Sequence, residues 1–223
     1  MQDSGRRICV WDWPIRIFHW ALVVAIAIAW LSAERGSEGF THHQWAGYTI
    51  LTLLIFRVLW GLVGSETARF SDFVRGPRAV LEYLRNWHRG GRAATVGHNP
   101  LGALAILAML ALVAVQAVTG LFADDDILHS GPFSGLVDGS TRRMLTVWHT
   151  TLFDWLLVLI GLHIVAMVLY RVVRGENLVK PMITGYRDAE ADRAQPWIAP
   201  LVRALVVLAV SVALVAGGLA WFG

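Results

Sequence analysis

Trp148-His149-Thr150-Thr151-Leu152-Phe153-Asp154-Trp155-Leu156-Leu157-Val158-Leu159-Ile160-Gly161-Leu162-His163 is the stretch on which the reading of this chain turns. It is an apolar run bracketed by histidines fourteen positions apart. At about 1.5 Å per residue, a helix sets the two imidazoles ~21 Å apart along its axis. Fourteen steps of about 100° leave them only ~40° out of register, so both address the same neighbours. Ionisable groups on one face at two depths of a membrane-length helix need a chemical reason to be there. Two more histidines, His19 and His43, stand in other apolar segments.

Composition agrees with a membrane setting. Of 223 residues, 56% are apolar, 16% are charged and 11 are Trp, which is too apolar for an ordinary soluble domain. The single cysteine, Cys9, excludes a disulfide framework, a cysteine-rich iron–sulfur site and a Cys-x-x-Cys-His haem attachment. Any haem is therefore held without a covalent link, as b-type. The first apolar segment ends in Glu34-Arg35-Gly36 and carries His19, so it reads as a span and not as a removable signal peptide. Nothing in the chain calls for nucleic acid.

Five runs are long enough to cross a hydrocarbon layer of about 30 Å: residues 15–33, 41–64, 100–123, 144–172 and 198–222. Trp11, Trp13, Trp45, Trp60, Trp148, Trp197 and Trp221 lie near their ends, as expected of side chains at headgroup depth. Between the second and third runs, Pro77 to Arg85 has the pattern of a short amphipathic helix lying on the membrane. Arg6, Arg7, Arg69, Arg75, Arg78, Arg85, Arg89, Arg92, Arg174, Lys180, Arg187 and Arg193 fall on one side; Arg35, Arg142 and Arg143 fall on the other. The positive-inside bias then places the N-terminus in the cytoplasm and the C-terminus outside. The acidic run Asp124-Asp125-Asp126 falls on the outer side.

That orientation assigns depths to the histidines. His19 and His163 lie toward the inner surface; His43 and His149 lie toward the outer one. Equal depths pair His43 with His149 and His19 with His163, giving two bis-histidine sites stacked across the membrane. Neutral imidazoles suit haem iron, with a second group fixing the other ring nitrogen. Gly47, four residues from His43, leaves room for a flat macrocycle on the same helix face, and Gly120 and Gly161 thin neighbouring helices. Glycine is also common in membrane helices for close backbone packing alone.

His42 competes with His43, and the Gly47 spacing favours His43. His98, before the third run, is a candidate to hydrogen-bond a quinone or a haem propionate; anchoring the helix start is the alternative. His88 and His129 read as solvated loop residues. Arg16 and Arg57 are candidate partners for haem propionates, since a guanidinium matches a carboxylate bidentately; for Arg57, snorkelling is the competing reading. Asp154, the one acid within the spans, is too little for a proton relay.

Arg16-Ile17-Phe18-His19-Trp20, His43-Gln44-Trp45-Ala46-Gly47 with Arg57, Gly97-His98-Asn99-Pro100-Leu101-Gly102, and Trp148-His149 with Gly161-Leu162-His163 together resemble the bacterial di-haem cytochrome b561 family. That family is similar to the b-type cytochrome subunits of membrane-bound nickel-iron hydrogenases. The resemblance covers residues 11–186. It implies an all-α, integral membrane four-helix bundle with two b haems, held by His19 with His163 and by His43 with His149. It also implies electron exchange with ubiquinone or menaquinone.

The expected function is transmembrane electron transfer between that quinone pool and a redox partner, either a periplasmic c-type cytochrome or an oxidoreductase subunit, in the bacterial cytoplasmic membrane. Superoxide oxidation at the outer haem, with Arg142 and Arg143 attracting the anion, is the alternative, so the residues leave open whether the chain is an enzyme in its own right. Residues 1–186 are read as the di-haem domain and 187–223 as a linker and a fifth spanning helix. Ala209, Ala213 and Gly217 form a small-residue ridge on that helix, expected to pack against the bundle or a second protein, a second copy included.

Overall fold

The computed structural model describes residues 6–86, 97–189 and 194–222. His88, Arg89, Arg92 and Arg193 lie outside the described residues. Strand β1 (Arg6–Cys9) leads into α1 (Trp13–Ala33), α2 (Phe40–Val63), the single turn α3 (Phe70–Phe73) and α4 (Pro77–Arg85). Then come α5 (Pro100–Phe122), α6 (Gly139–Val173), α7 (Val179–Thr184), β2 (Tyr186–Ala189) and α8 (Leu201–Phe222). Helices α1, α2, α5, α6 and α8 are long and apolar enough to cross a membrane. The chain is an all-α multi-pass membrane protein, and its outward aliphatic side chains, such as Val158, Leu162 and Val165 on α6, are exposed as lipid contact requires.

Two boundaries depart from the sequence reading. Helix α6 begins five residues early, because Asp138 caps it: its carboxylate accepts the backbone N–H of Ser140 at 2.9 Å and of Thr141 at 3.0 Å. Helix α8 begins three residues late. Pro200 disfavours a helical Ala199, and the preceding backbone is tied elsewhere. Trp197 N–H donates to the Glu66 carboxylate at 2.9 Å and Ala199 N–H to the Ser65 hydroxyl at 2.9 Å. On α8, Ala209, Ala213 and Gly217 are exposed, while Ala204, Val207 and Ser211 form its buried stripe, so the small ridge is not the face turned toward the rest of this chain.

The chain divides into two compact units. One comprises the described parts of Met1–Ile17, Val58–Ala108 and Gly161–Ala204. In it β1 and β2 pair antiparallel, Arg6 opposite Ala189 through Cys9 opposite Tyr186. The chain then continues onto the turn after α7, where Val10 N–H donates to Gly185 O at 2.8 Å. Gly185 closes α7 at φ +88°, a left-handed conformation that glycine adopts without strain. Asp12, 3% exposed, ties this unit together. It caps α1 by accepting Ile15 N–H at 2.8 Å and accepts the Trp60 indole N–H at 3.0 Å. Trp60 and Trp11 are thus interior residues and not headgroup anchors; Trp60 is 0% exposed. Trp13, Trp45, Trp148, Trp197 and Trp221 are exposed as expected.

The other unit comprises Phe18–Arg57, Met109–Ile160 and the described part of Leu205–Gly223. Its core is Ala25 on α1, Ile50 and Leu54 on α2, Val113 on α5 and Leu156 on α6, so four helices share one apolar centre. Leu22, Ile26, Leu110, Ala117, Phe153 and Ile160 pack around it. This apolar centre lies within the same unit as His43 and His149.

Candidate functional site

His43 on α2 and His149 on α6 come together in the second unit. Their ring centroids are 5.9 Å apart with the planes at 89°. His43 Nδ1 lies 2.9 Å from the backbone carbonyl of Ala29 on α1. His149 Nδ1 lies 2.8 Å from the carbonyl of Gln116 on α5. A carbonyl only accepts, so in both rings Nδ1 donates, and Nε2 is the nitrogen left to ligate a metal. Each imidazole is thereby oriented by a neighbouring helix, the second-sphere arrangement that metal-bound histidines show.

The space around the pair fits a macrocycle. Two metal–nitrogen bonds of about 2 Å, plus about 1 Å from each nitrogen to its ring centre, ask for centroids about 6 Å apart. A Cβ added at Gly47, one turn along α2 from His43, would meet nothing within 4 Å. Gly120 on α5 does the opposite job: a Cβ there would stand 2.7 Å from His149 Cε1 and 3.0 Å from Nδ1. Only a glycine lets α5 pass so close to that ring. Among the described residues, no group of three or more His, Cys, Asp or Glu side chains could hold a bare metal ion. Two imidazoles alone leave the remaining positions of iron to porphyrin nitrogens.

Gln116 escaped the sequence reading. Besides lending its carbonyl to His149, it donates its side-chain amide to the His149 backbone carbonyl at 2.7 Å. A lone amide in the apolar run of α5 was the available signal. Thr119 Oγ1 stands 3.5 Å from His149 Nδ1. The carbonyl of Ala29 carries no side-chain signal at all.

The other expected site residues are placed as follows. His19 is half-buried on α1 in the second unit, edge-on to Trp20 at 4.9 Å. His163 is half-buried on α6 in the first unit, and Gly161 before it has open space at its Cβ position. His42 is exposed whereas His43 is not. His98 stands between Trp11 at 4.5 Å and Phe73 at 4.7 Å, centroid to centroid, so aromatic rings fix it at the start of α5. Arg16 lies over the Trp13 ring at 4.2 Å and donates to the Ile183 carbonyl of α7. Arg57 is 3% exposed and therefore does not snorkel.

On the loop after α5, His129 is not a solvated residue. It stacks on Phe40 at 4.1 Å with the planes at 19°. Asp125 folds that loop by accepting backbone N–H groups of Ile127, Leu128 and His129, each at 2.9 Å. These bonds, His129 first, hold its carboxyl down to about 2. Arg142 pairs with Asp124 at 3.3 Å. Arg143 is exposed.

The family model for prokaryotic cytochrome b561 matches residues 10–185. The chain is 23% identical to a probable Ni/Fe-hydrogenase B-type cytochrome subunit of Azotobacter chroococcum mcd 1, over 83% of this chain and 90% of the relative. It is 25% identical to the protein of the same description from Azotobacter vinelandii, with the same coverage. The probable Ni/Fe-hydrogenase 1 B-type cytochrome subunit of Escherichia coli (strain K12) is 22% identical over 80% of this chain and 90% of its own length. No solved structure matches the chain. With five spanning helices, paired imidazoles and a family match over most of its length, this chain belongs to the prokaryotic cytochrome b561 family, membrane proteins that transfer electrons through b-type haem.

Proposed function

We propose that the chain carries electrons across the bacterial cytoplasmic membrane through two b haems, one held by His43 and His149 and one by His19 and His163. The observation that carries this reading is the His43–His149 pair, with ring centroids 5.9 Å apart and both Nδ1 atoms engaged by backbone carbonyls. When bound, haem supplies a one-electron iron centre whose potential follows its axial ligands and its burial. The protein's own part is positioning. Ala29 and Gln116 carbonyls engage the Nδ1 atoms and so leave the Nε2 atoms as the ligating nitrogens. Gly47 leaves room beside His43, and the core around Ile50 and Leu156 keeps water away. Arg57 and Arg16 are the proposed propionate partners, and His98 the proposed hydrogen-bonding partner of a quinone or propionate.

By the positive-inside bias, the His43–His149 end faces the periplasm and the chain begins in the cytoplasm. Ubiquinone or menaquinone is the proposed exchangeable acceptor or donor. The names of the relatives favour an oxidoreductase subunit as redox partner; a c-type cytochrome is the second candidate. Residues 1–186 form the proposed haem domain, in keeping with a family match that stops at residue 185. The superoxide alternative draws less support, because Arg142 is already paired with Asp124.

Pyridine haemochrome stoichiometry on purified variants tests the reading. His149→Ala is expected to lower the content from two haems to one per chain, and His163→Ala to remove the other. Leu157→Ala, a change in a span residue without a ligand role, is expected to leave both. Equal content in His149→Ala and Leu157→Ala would sink the assignment.

A further inference from the structure

Helix α4 lies between two spans: the chain leaves α2 at Val63 and enters α5 at Pro100. Its inward face is short and fixed. Ala79, Val80 and Tyr83 are half-buried, and Tyr83 OH lies 2.6 Å from Tyr170 OH, three residues before the end of α6. Asn99 reinforces that junction, donating to Tyr170 OH at 2.8 Å while its own carbonyl oxygen accepts Gly102 N–H at 2.8 Å. A helix bonded to the last turn of a spanning helix sits at headgroup depth.

Its outward face has two halves. At about 100° per residue, Leu84, Pro77, Leu81, Arg85, Arg78 and Glu82 follow one another around the exposed arc. Leu81 is 53% and Leu84 45% exposed, and Val74, just before the helix, is 42% exposed. Exposed Arg75, Arg78 and Arg85 border these aliphatic groups, against the single acid Glu82. Leucines on one side and guanidiniums on the other match acyl chain and phosphate, the two halves of a lipid at the interface.

We propose that this face of α4 is a binding site for anionic phospholipid, with Leu81 and Leu84 against the acyl chains and Arg78 and Arg85 on the headgroup phosphate. The inference rests on the membrane embedding and not on which residues ligate haem, so it stands or falls separately from the proposed function. Because α4 meets α6 through Tyr83 and Tyr170, the bound lipid holds that helix end as well as the leaflet.

The test uses the full-length holoprotein in nanodiscs of phosphatidylcholine alone or with phosphatidylglycerol. A fluorophore at Leu84→Cys, in a Cys9→Ser background, is expected to shift to the blue and to resist an aqueous quencher, more so with phosphatidylglycerol. Native mass spectrometry of detergent-extracted Arg78→Gln/Arg85→Gln protein is expected to show phosphatidylglycerol affinity lowered about fivefold per arginine, or about twenty-five-fold for both. An unchanged haem spectrum certifies that the variant is folded. A label that stays in water in both discs overturns the proposal. So does protection that ignores lipid charge, or phosphatidylglycerol retention equal to that of the unaltered protein.

Discussion

Gly120→Ala is the sharpest probe of the paired imidazoles. The added Cβ would stand 2.7 Å from His149 Cε1, 3.0 Å from Nδ1 and 3.4 Å from Nε2. Carbon atoms settle at about 3.5–4 Å, so the ring must retreat by about 1 Å. Gly120 lies one turn along α5 from Gln116, whose carbonyl holds Nδ1 at 2.8 Å. The new methyl and that carbonyl compete for one ring edge. A retreat of about 1 Å takes the hydrogen bond beyond the ~3.2 Å limit of a good N–H···O contact. Loss of such an outer-sphere bond typically weakens metal binding about 10–100-fold. Haem titration of the apo-protein, followed by absorbance, should show one of the two sites weakened by that factor. Gly47→Ala separates haem from protein: its Cβ meets nothing in the chain, so the apo-protein should be unaffected. A macrocycle on that face would be crowded at about 1–3 kcal/mol, a loss of haem affinity of about 5- to 150-fold. Unaltered haem affinity in both alanine variants would refute the reasoning.

Two further outcomes follow from the ends of the helices. The carboxyl of Asp125 sits at about 2 in the folded loop against a usual 3.8. A depressed folded value stabilises above the unfolded one and is lost as pH falls through the folded one. Backbone hydrogen exchange at Ile127–His129, corrected for intrinsic rate, should therefore hold steady from pH 7 to about 5 and lose protection between about 4 and 2. Asp125→Asn should abolish that dependence. Asp12→Ala removes the cap of α1 and leaves the buried Trp60 indole N–H without its acceptor. The expected cost is about 1–3 kcal/mol, measured by unfolding in mixed micelles; an unchanged midpoint would contradict the role given to Asp12.

The spans and the helix Pro77–Arg85 were legible because each rests on local pattern. Hydropathy marks a span without reference to the rest of the chain, and the one-turn spacing of His43 and Gly47 marks a face. What stayed hidden depends on partners distant in sequence. Arg6–Cys9 lacks strand alternation, and it pairs only because residues 186–189 return beside it. Trp60 resembles a headgroup anchor until Asp12, 48 positions earlier, claims its indole. His129 looks like any loop histidine until Phe40 supplies a ring to stack on. Asp138 was readable in principle, since an acid before Gly139-Ser140-Thr141 is a cap pattern. The apolar run by itself marks a start only at Met144.

The pairing of β1 with β2 bears on how the molecule is made. Ile8, 2% exposed in the finished protein, is opposite Arg187. At about 5–20 residues per second, the ribosome delivers that partner roughly 10–40 s after the N-terminal segment emerges. Through that interval four spans are threaded while the leading strand waits with its edge unmatched. Its closure comes late in synthesis, as a latch set after the four spans have been made.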